Sequence, residues 1–214
     1  MRAAARANGA GYQQYDFLID AIIKQLWVIE FATTNCQSIM AGFTNSANAA
    51  AVQTGRTNGV KTPSGSETDN TTGTFACKYR GIENPWGNIW TNVDGIRFDV
   101  EKVYLCTDPL LYESESAIGA GYEYVGNRDT VEGYTRIISM FSKYPLLGYT
   151  TIASGGSANT YYCDYHHYNA GGQILFVGGW WLLGAHAGLW YWYGDYAVGN
   201  ANASIGGRLC YKPL

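Results

Sequence analysis

The residues best suited to metal chemistry lie in the run Cys163-Asp164-Tyr165-His166-His167. Thiolate, carboxylate and imidazole are the groups that bind zinc in proteins. The run has the pattern of a strand, in which adjacent side chains such as His166 and His167 point to opposite faces. Because no second cluster of cysteine, histidine or acidic residues completes a four-ligand site, the sequence predicts no metal site here.

A second candidate is Glu83-Asn84-Pro85, which resembles the Glu-Pro-Asn tripeptide with which animal C-type lectins bind calcium and sugar. The order of the residues differs, and the Trp-Asn-Asp partner that those lectins use is missing. We therefore interpret residues 83–90 as a structured turn that buries Trp86 and Trp90, and we predict no calcium-dependent sugar site.

Motifs of covalent or phosphoryl chemistry are missing from the sequence. It has no Gly-x-Ser-x-Gly turn and no phosphate-binding glycine-rich loop with a lysine. The cysteines are widely spaced, without a Cys-x-x-Cys pair, and we expect them to be free thiols that fill the core. They are Cys36, Cys77, Cys106, Cys163 and Cys210. The sequence therefore predicts no enzyme and no cofactor.

Binding chemistry is concentrated in the C-terminal segment 178–209, which is crowded with tryptophan and tyrosine. Glycines at 178, 179, 184, 188, 194 and 199 interrupt the segment, a pattern typical of loops from which large side chains project. Tyrosine and tryptophan supply rigid contact area at low entropic cost. We predict that part of this segment enters the core, namely Trp181, Leu189, Trp192 and Ile205, and that the rest forms a contact surface.

A long helix is the first element that must support this surface. Apolar residues at helical spacing predict it over residues 15–41. The predicted core stripe consists of Leu18, Ile22, Leu26 and Ile29, widened by Ile19, Ile23 and Trp27. Residues 42–74 are small and polar, which predicts a loop or insertion.

Short strands separated by glycine, asparagine and proline are predicted for the rest of the chain. The expected strands cover 77–80, 89–93, 95–104, 122–125, 148–153, 161–165 and 173–177. Asp94-Gly95 is a signal for a tight hairpin turn. The expected fold class is α+β, with one long N-terminal helix, short strands and long loops in a single domain over residues 1–214.

Composition excludes several classes of partner. A net charge of −3 with 14% charged residues provides no basic patch for nucleic acid. No apolar run reaches the roughly 18–20 residues of a membrane span, so we expect no membrane insertion. The N-terminal residues lack the apolar region of a signal peptide, which predicts synthesis in the cytoplasm without a secretory signal.

Several segments together resemble the variable proteins of diversity-generating retroelements, many of which are receptor-binding proteins of phage tails. Upstream, the resemblance rests on 82–88 and on Asn92-Val93-Asp94-Gly95. In the C-terminal segment it rests on Gly178-Gly179, Trp181, Gly184-Ala185, Ala187-Gly188-Leu189, Tyr191-Trp192, Asn200-Ala201-Asn202 and 205–209. The resemblance implies a C-type lectin-like fold, in a variant that is shared with formylglycine-generating enzymes.

In that family an error-prone reverse transcriptase randomises adenines of a template repeat, chiefly in asparagine codons. Between the matching positions lie residue types that such codons reach when only their two adenines change. The resemblance therefore implies a variable ligand-binding site made of Leu182, Leu183, His186, Tyr193, Gly194, Asp195 and Tyr196. Tryptophan is not reachable in this way, so Trp180 and Trp190 are expected to be fixed walls of the site.

The resemblance implies non-catalytic binding of a protein or glycan receptor on a target cell surface. The protein would be displayed on a virion tail or a cell surface, where a homotrimer is one arrangement, and this chain would be the C-terminal part of a longer protein. A lectin of fixed carbohydrate specificity is the alternative. The formylglycine-generating enzymes are disfavoured because they use two closely spaced C-terminal cysteines, whereas Cys210 stands alone in its region.

Overall fold

The computed structural model describes residues 1–68, 71–113, 116–144 and 148–213. Within these ranges the α-helices are α1 (Arg2–Arg6) and α2 (Phe17–Phe31). Single turns of 3₁₀ helix cover Cys36–Ser38, Arg56–Gly59, Pro109–Leu111 and Gly184–His186. The protein is 16% helical and is built mostly from a curled β-sheet. The fold is therefore of the α+β class, rich in β-structure.

Short strands make up the rest of the regular structure, as the sequence predicts. In chain order they are β1 (Tyr12–Gln14), β2 (Gly65–Ser66), β3 (Cys77–Tyr79), β4 (Ile82–Glu83), β5 (Trp90–Asp99), β6 (Lys102–Leu105), β7 (Glu123–Asn127), β8 (Gly133–Tyr134), β9 (Ile137–Met140), β10 (Gly148–Ile152), β11 (Tyr165–Tyr168), β12 (Ile174–Gly178), β13 (Gly188–Gly194), β14 (Ile205–Gly206) and β15 (Leu209–Tyr211). The strand expected over 161–165 was misplaced, because the pairing begins only at Tyr165.

The main sheet has eight strands among the described residues, in the order β7-β6-β5-β12-β13-β11-β8, with β14 added beside β5. Its pairs are antiparallel except for β11 with β13 and β14 with β5. Three smaller sheets are formed among the described residues, by β2-β3-β4, by β9-β10 and by β1-β15. The strands β1 and β15 pair antiparallel, so that Tyr12 lies opposite Tyr211.

Helix α2 is shorter than the expected 15–41. It begins after Asp16, whose carboxylate accepts a hydrogen bond from the Ile19 N–H at 3.1 Å. It ends where Ala32 takes a left-handed conformation with φ of 51°. The predicted stripe is also rotated, because Ile22 is 47% exposed and Ile29 is 77% exposed. The buried face consists of Phe17, Asp20, Ala21, Ile23 and Trp27.

The prediction of a hairpin turn at Asp94-Gly95 is wrong, because both residues lie inside the long strand β5. Val93 pairs with Leu175, but Arg97 pairs with the adjacent Ile174, so the residues between them form a bulge. Gly95 has a φ of +79° and lies against the Phe17 ring, where a side chain would not fit. The glycine here serves the bulge and the close approach of α2.

The loop expected over residues 42–74 is largely irregular, with β2 and one 3₁₀ turn inside it; residues 69–70 lie outside the described residues. Glu83 anchors this loop, because its carboxylate accepts hydrogen bonds from the Gly55 and Thr57 N–H groups and from the Thr57 hydroxyl. The Glu83-Asn84-Pro85 run thus has a structural role, and Trp86 beside it is buried as predicted.

The main core lies between α2 and one face of the main sheet, which we call the helix-side face. Trp27 of α2 packs edge-on against Trp86, with ring centroids 5.2 Å apart. The Lys24 ammonium lies 6.0 Å from the centre of the Trp192 ring on β13. Since the helix covers only this face, the residues on the other face must find different partners.

Candidate functional site

Strand β13 sends its aromatic side chains alternately to the two faces of the main sheet. Trp190 and Trp192 belong to the main core on the helix-side face. Tyr191 and Tyr193 belong to a second apolar cluster on the opposite face. This alternation is the ordinary period of two in a β-strand. It divides a run of four consecutive aromatic residues into two sets with different surroundings.

The second cluster covers the sheet face opposite α2, and we call it the aromatic face. Its buried centre consists of Trp90, Phe176 and Tyr191, and its half-buried margin of Tyr165, Ile174, Trp180, Leu183, Tyr193, Tyr196 and Ile205. The sheet register produces this layer, because Phe176 on β12 pairs with Tyr193 on β13, and Tyr193 pairs with His167 on β11. Residues from distant parts of the chain thus become neighbours across the strands.

Trp90 is the ring on which the others stack. Its centroid lies 4.6 Å from that of Tyr193 and 5.2 Å from that of Trp180, in both cases stacked. Tyr196 meets Trp90 and Tyr193 edge-on at 5.9 and 5.0 Å. Each such pair is worth about 0.5–1.5 kcal/mol beyond the burial of area. The half-buried rings are therefore held in place by a buried one.

His186 and the two leucines flank this layer. The His186 ring stacks on Tyr165 at 4.2 Å with an interplanar angle of 12°, and it meets Tyr134 edge-on at 5.3 Å. Leu183 packs against the aromatic cluster, and Leu182 is half-buried in the preceding turn. The structure thus brings Leu183, His186, Tyr193 and Tyr196 to one side of the sheet.

The backbone of the loop 179–187 is held by residues outside it. Gln37 donates from its side-chain amide to the Gly184 and Ala187 carbonyls, at 2.9 and 2.6 Å. Asn48 donates in the same way to the Trp181 carbonyl at 3.2 Å. Because these bonds come from other segments and end on backbone atoms, they do not depend on which side chains the loop carries.

Trp190, expected as a wall of the site, lies in the main core and does not line the aromatic face. Its relative exposure is 5%, and its ring contacts Tyr162 at 6.1 Å. The backbone N–H of Trp190 donates to the buried Asp164 carboxylate at 2.8 Å. The expectation fails because β13 points Trp190 to the helix-side face. Trp180, the other expected wall, does lie on the aromatic face.

Gly194 was expected among the variable contacts, but the structure buries it. Its carbonyl accepts a hydrogen bond from Arg128 Nη1 at 3.0 Å. A Cβ at this position would lie 1.9 Å from the same nitrogen, so no larger residue fits without moving the arginine. The guanidinium also donates to the Val100 and Asn169 carbonyls. Gly194 is therefore part of the support of the site.

Asp195 supplies the negative charge of the site, close to Glu132. Burial raises the pKa of the Asp195 carboxyl to about 6, and the charge of Glu132 adds to the effect, while Tyr193 and Arg128 oppose it. Burial also raises the pKa of Tyr193 well above its usual range. For His167 and His186, burial lowers the pKa of the imidazole. The histidines are thus mainly neutral at pH 7.

Four residues of the site or of its support were not predicted from the sequence to belong to it, namely Trp90, Tyr165, His167 and Arg128. The signal for His167 was present, because adjacent histidines in a strand face opposite ways. His166 is fully buried and its Nε2 contacts the Asp129 carbonyl at 3.1 Å, whereas His167 faces the aromatic residues. The sequence alone did not predict that β11 pairs with β13, and this pairing places His167 beside Tyr193.

The cysteines do not form a reactive group among the described residues. All five are free, four are buried and Cys210 is half-buried. Burial raises the pKa of each thiol, which disfavours the nucleophilic thiolate. No helix among the described residues is long and apolar enough to cross a lipid bilayer.

Comparison with known proteins adds no assignment to these observations. No protein-family model matches the chain, and no curated protein matches it at a significant level.

Proposed function

We propose that this protein binds a ligand on the aromatic face without catalysing a reaction. The observation that carries the proposal is the layer of half-buried rings, in which Trp180, Tyr193 and Tyr196 surround the buried Trp90. Aromatic residues that are held rigidly but stay accessible are typical of binding hot spots. Affinity would come from removing these rings from water, and His186 and Asp195 would make directional polar contacts with the ligand.

We further propose that the protein is a variable protein of a diversity-generating retroelement with a C-type lectin-like fold. The α+β class, the single long helix and the many short strands are compatible with this fold. Diversification requires a backbone that does not depend on the exchanged side chains. The hydrogen bonds from Gln37 and Asn48 to the loop carbonyls meet that requirement, and so do the half-buried positions of Leu182, Leu183 and Tyr193.

The ligand class that fits is a protein or glycan receptor on a target cell surface. Display of the protein on a virion tail or a cell surface would place the aromatic face toward such a receptor. Trimeric display would strengthen a weak single contact, because linked sites bind with a high effective concentration.

The test compares the protein with a variant in which Leu182, Leu183, Tyr193 and Tyr196 are replaced by alanine. A matched control replaces two leucines and two tyrosines that are exposed elsewhere, namely Leu110, Leu111, Tyr124 and Tyr161. The probes are a glycan array and a random-peptide display library. We expect the protein and the control to select the same probes and the site variant to lose them. Unchanged binding by a folded site variant would refute the proposed site.

A lectin of fixed carbohydrate specificity is the second candidate. The stacked arrangement of Trp90, Trp180 and Tyr193 favours it, because flat aromatic surfaces also suit sugar rings. Sequencing of the native locus separates the two functions. The diversified binder predicts a reverse-transcriptase gene and a near copy of the region encoding residues 178–209 that differs at template adenines. A locus without both, or one sugar class bound by every natural relative, would favour the fixed lectin.

A further inference from the structure

Three potential metal ligands meet at the margin of the aromatic face. Glu132, His167 and Asp195 each offer one donor atom, and these atoms lie within 4.8 Å of one another. The sequence does not indicate this group, because its members are separated by tens of residues. Only Asp195 belongs to the segment that we expected to bind a ligand.

The sheet register explains why these residues converge. Strand β11 lies between β8 and β13. His166 pairs with Gly133 of β8, so Glu132, one residue before Gly133, lies beside His167. His167 also pairs with Tyr193 of β13, and Asp195 is two residues further along on the same face. Glu132 and Asp195 each lie one residue outside a strand of the main sheet, so the sheet register brings them beside His167.

Two atoms of the group are buried without a hydrogen-bond partner among the described residues. They are Nε2 of His167 and Oδ1 of Asp195. Buried polar atoms almost always have a partner, so two such atoms in one cluster point to a bound group that satisfies them. Oε1 of Glu132 lies 3.4 Å from Nδ1 of His167 and accepts a hydrogen bond from the Tyr168 N–H at 3.1 Å.

We propose that Glu132, His167 and Asp195 bind a divalent cation, with Zn²⁺ preferred. One imidazole nitrogen and two carboxylate oxygens are a donor set that suits zinc and manganese better than calcium. Ligand distances of about 2.0–2.2 Å require the donors to close in on the ion. The Glu132 side chain is 44% exposed and is therefore free to make this adjustment.

The ion would keep coordination positions open toward solvent, where Glu132 lies. The His167 ring is 5.2 Å from the Tyr193 ring, so these positions border the aromatic face. A carboxylate or hydroxyl of a bound ligand could replace water there, a role that rests on the proposed binding function. Binding of the ion itself does not rest on it and is measured without any ligand.

The experiment uses untagged protein that has been treated with a chelator and returned to metal-free buffer. Isothermal titration with Zn²⁺, Mn²⁺ and Ca²⁺ should show one equivalent of Zn²⁺ bound more tightly than Ca²⁺. Unfolding temperature should rise with Zn²⁺ concentration, since the ion binds the folded state. Each of the variants Glu132→Gln, His167→Gln and Asp195→Asn should weaken Zn²⁺ binding at least about tenfold.

The matched control is Asp99→Asn, because Asp99 is an exposed carboxylate at the end of β5 and lies outside the group of donors. It should bind Zn²⁺ as the unchanged protein does. Circular dichroism and unfolding without metal establish that each variant is folded. The proposal is overturned if the protein binds no Zn²⁺ at about 1 mM cation, the weak end of useful affinity. It is also overturned if binding survives all three variants or is lost equally in the Asp99 control.

Discussion

The two faces of strand β13 carry the same kinds of residue and have different surroundings. Trp190 and Trp192 pack into the main core against α2. Tyr191 and Tyr193, which alternate with them, join the aromatic face, where the margin is only half-buried. The comparison teaches that aromatic content does not itself distinguish core from binding site. The face to which a residue points, and what covers that face, make the distinction.

The same contrast holds for the adjacent tryptophans of the loop after β12. Trp181 is buried at 9% exposure, whereas Trp180 is half-buried and stacks on Trp90 at 5.2 Å. The adjacent glycines Gly178 and Gly179 have φ values of +84° and +78°, which lets the chain turn sharply between the strand and these rings. One ring therefore stabilises the fold while its neighbour stays accessible.

The largest effect should come from truncating the helix-side face. Trp190→Ala should lower the free energy of unfolding by about 3–5 kcal/mol, because it leaves a large cavity in the main core. Tyr193→Ala should cost clearly less, about 1–2 kcal/mol, since its ring is already partly hydrated. Urea unfolding of the two variants measures the difference. Equal losses would mean that the aromatic face is a second core and not a binding surface.

A smaller effect is expected from filling the space at Gly194. This substitution tests whether Gly194, one of the expected variable residues, supports the site or contacts the ligand. Gly194→Ala should lower the free energy of unfolding by about 1–3 kcal/mol, because the new methyl group displaces the Arg128 guanidinium. Gly199→Ser is the control, since a Cβ at Gly199 meets no neighbour within 4 Å, although its φ of +87° still adds some strain. If Gly194→Ala left the free energy of unfolding unchanged, Gly194 would belong with the exchangeable residues of the site.

Trp180→Ala should affect binding more than stability. Because the ring is half-buried at the margin, we expect a loss of only about 1–2 kcal/mol in the free energy of unfolding. Affinity for a probe selected by the unchanged protein should fall at least about thirtyfold, the loss of about 2 kcal/mol or more that defines a binding hot spot. Parallel titration and unfolding of the variant measure both quantities. If stability fell while affinity was retained, Trp180 would belong with the core residues.

The smallest effect concerns the charge of Asp195. Its pKa is about 6 in the folded protein and about 3.9 in an unfolded chain. A carboxyl whose pKa is raised by folding contributes its full stabilisation of the folded protein at pH values below its pKa in the unfolded chain. This contribution is lost as the pH rises through its pKa in the folded protein. Between about pH 4 and pH 6 the unchanged protein should therefore lose stability relative to Asp195→Asn, by at most about 1 kcal/mol because solvent screens the group.

The measurement is urea unfolding of both proteins across this pH range in the presence of a chelator, which removes any bound cation. Glu132 and Arg128 are the charged groups that act on Asp195, and both are unchanged in the variant. A stability difference that stays constant with pH would show that Asp195 is solvated like an ordinary surface carboxylate.

The α+β class, the short strands and the burial of Trp86 and Trp90 could be predicted from sequence, because they depend on local periodicity and turn residues. The helix stripe at Ile22 and Ile29 was wrong, because apolar residues encircle α2 and periodicity alone did not show which side meets the sheet. The expectation for Trp190 was wrong, and the position of His167 was not predicted, for a related reason. Their roles depend on which strands pair, and the parallel pairing of β11 with β13 has no local signal.

The central claim is that the aromatic face tolerates exchange of its side chains whereas the helix-side face does not. The most direct measurement is the fraction of protease-resistant protein in two display libraries. One randomises Leu182, Leu183, His186, Tyr193, Asp195 and Tyr196, and the other randomises Val93, Ile96, Leu175, Leu189, Trp190 and Trp192. The claim predicts that most members of the first library and few members of the second are folded. Equal folded fractions in the two libraries would contradict it.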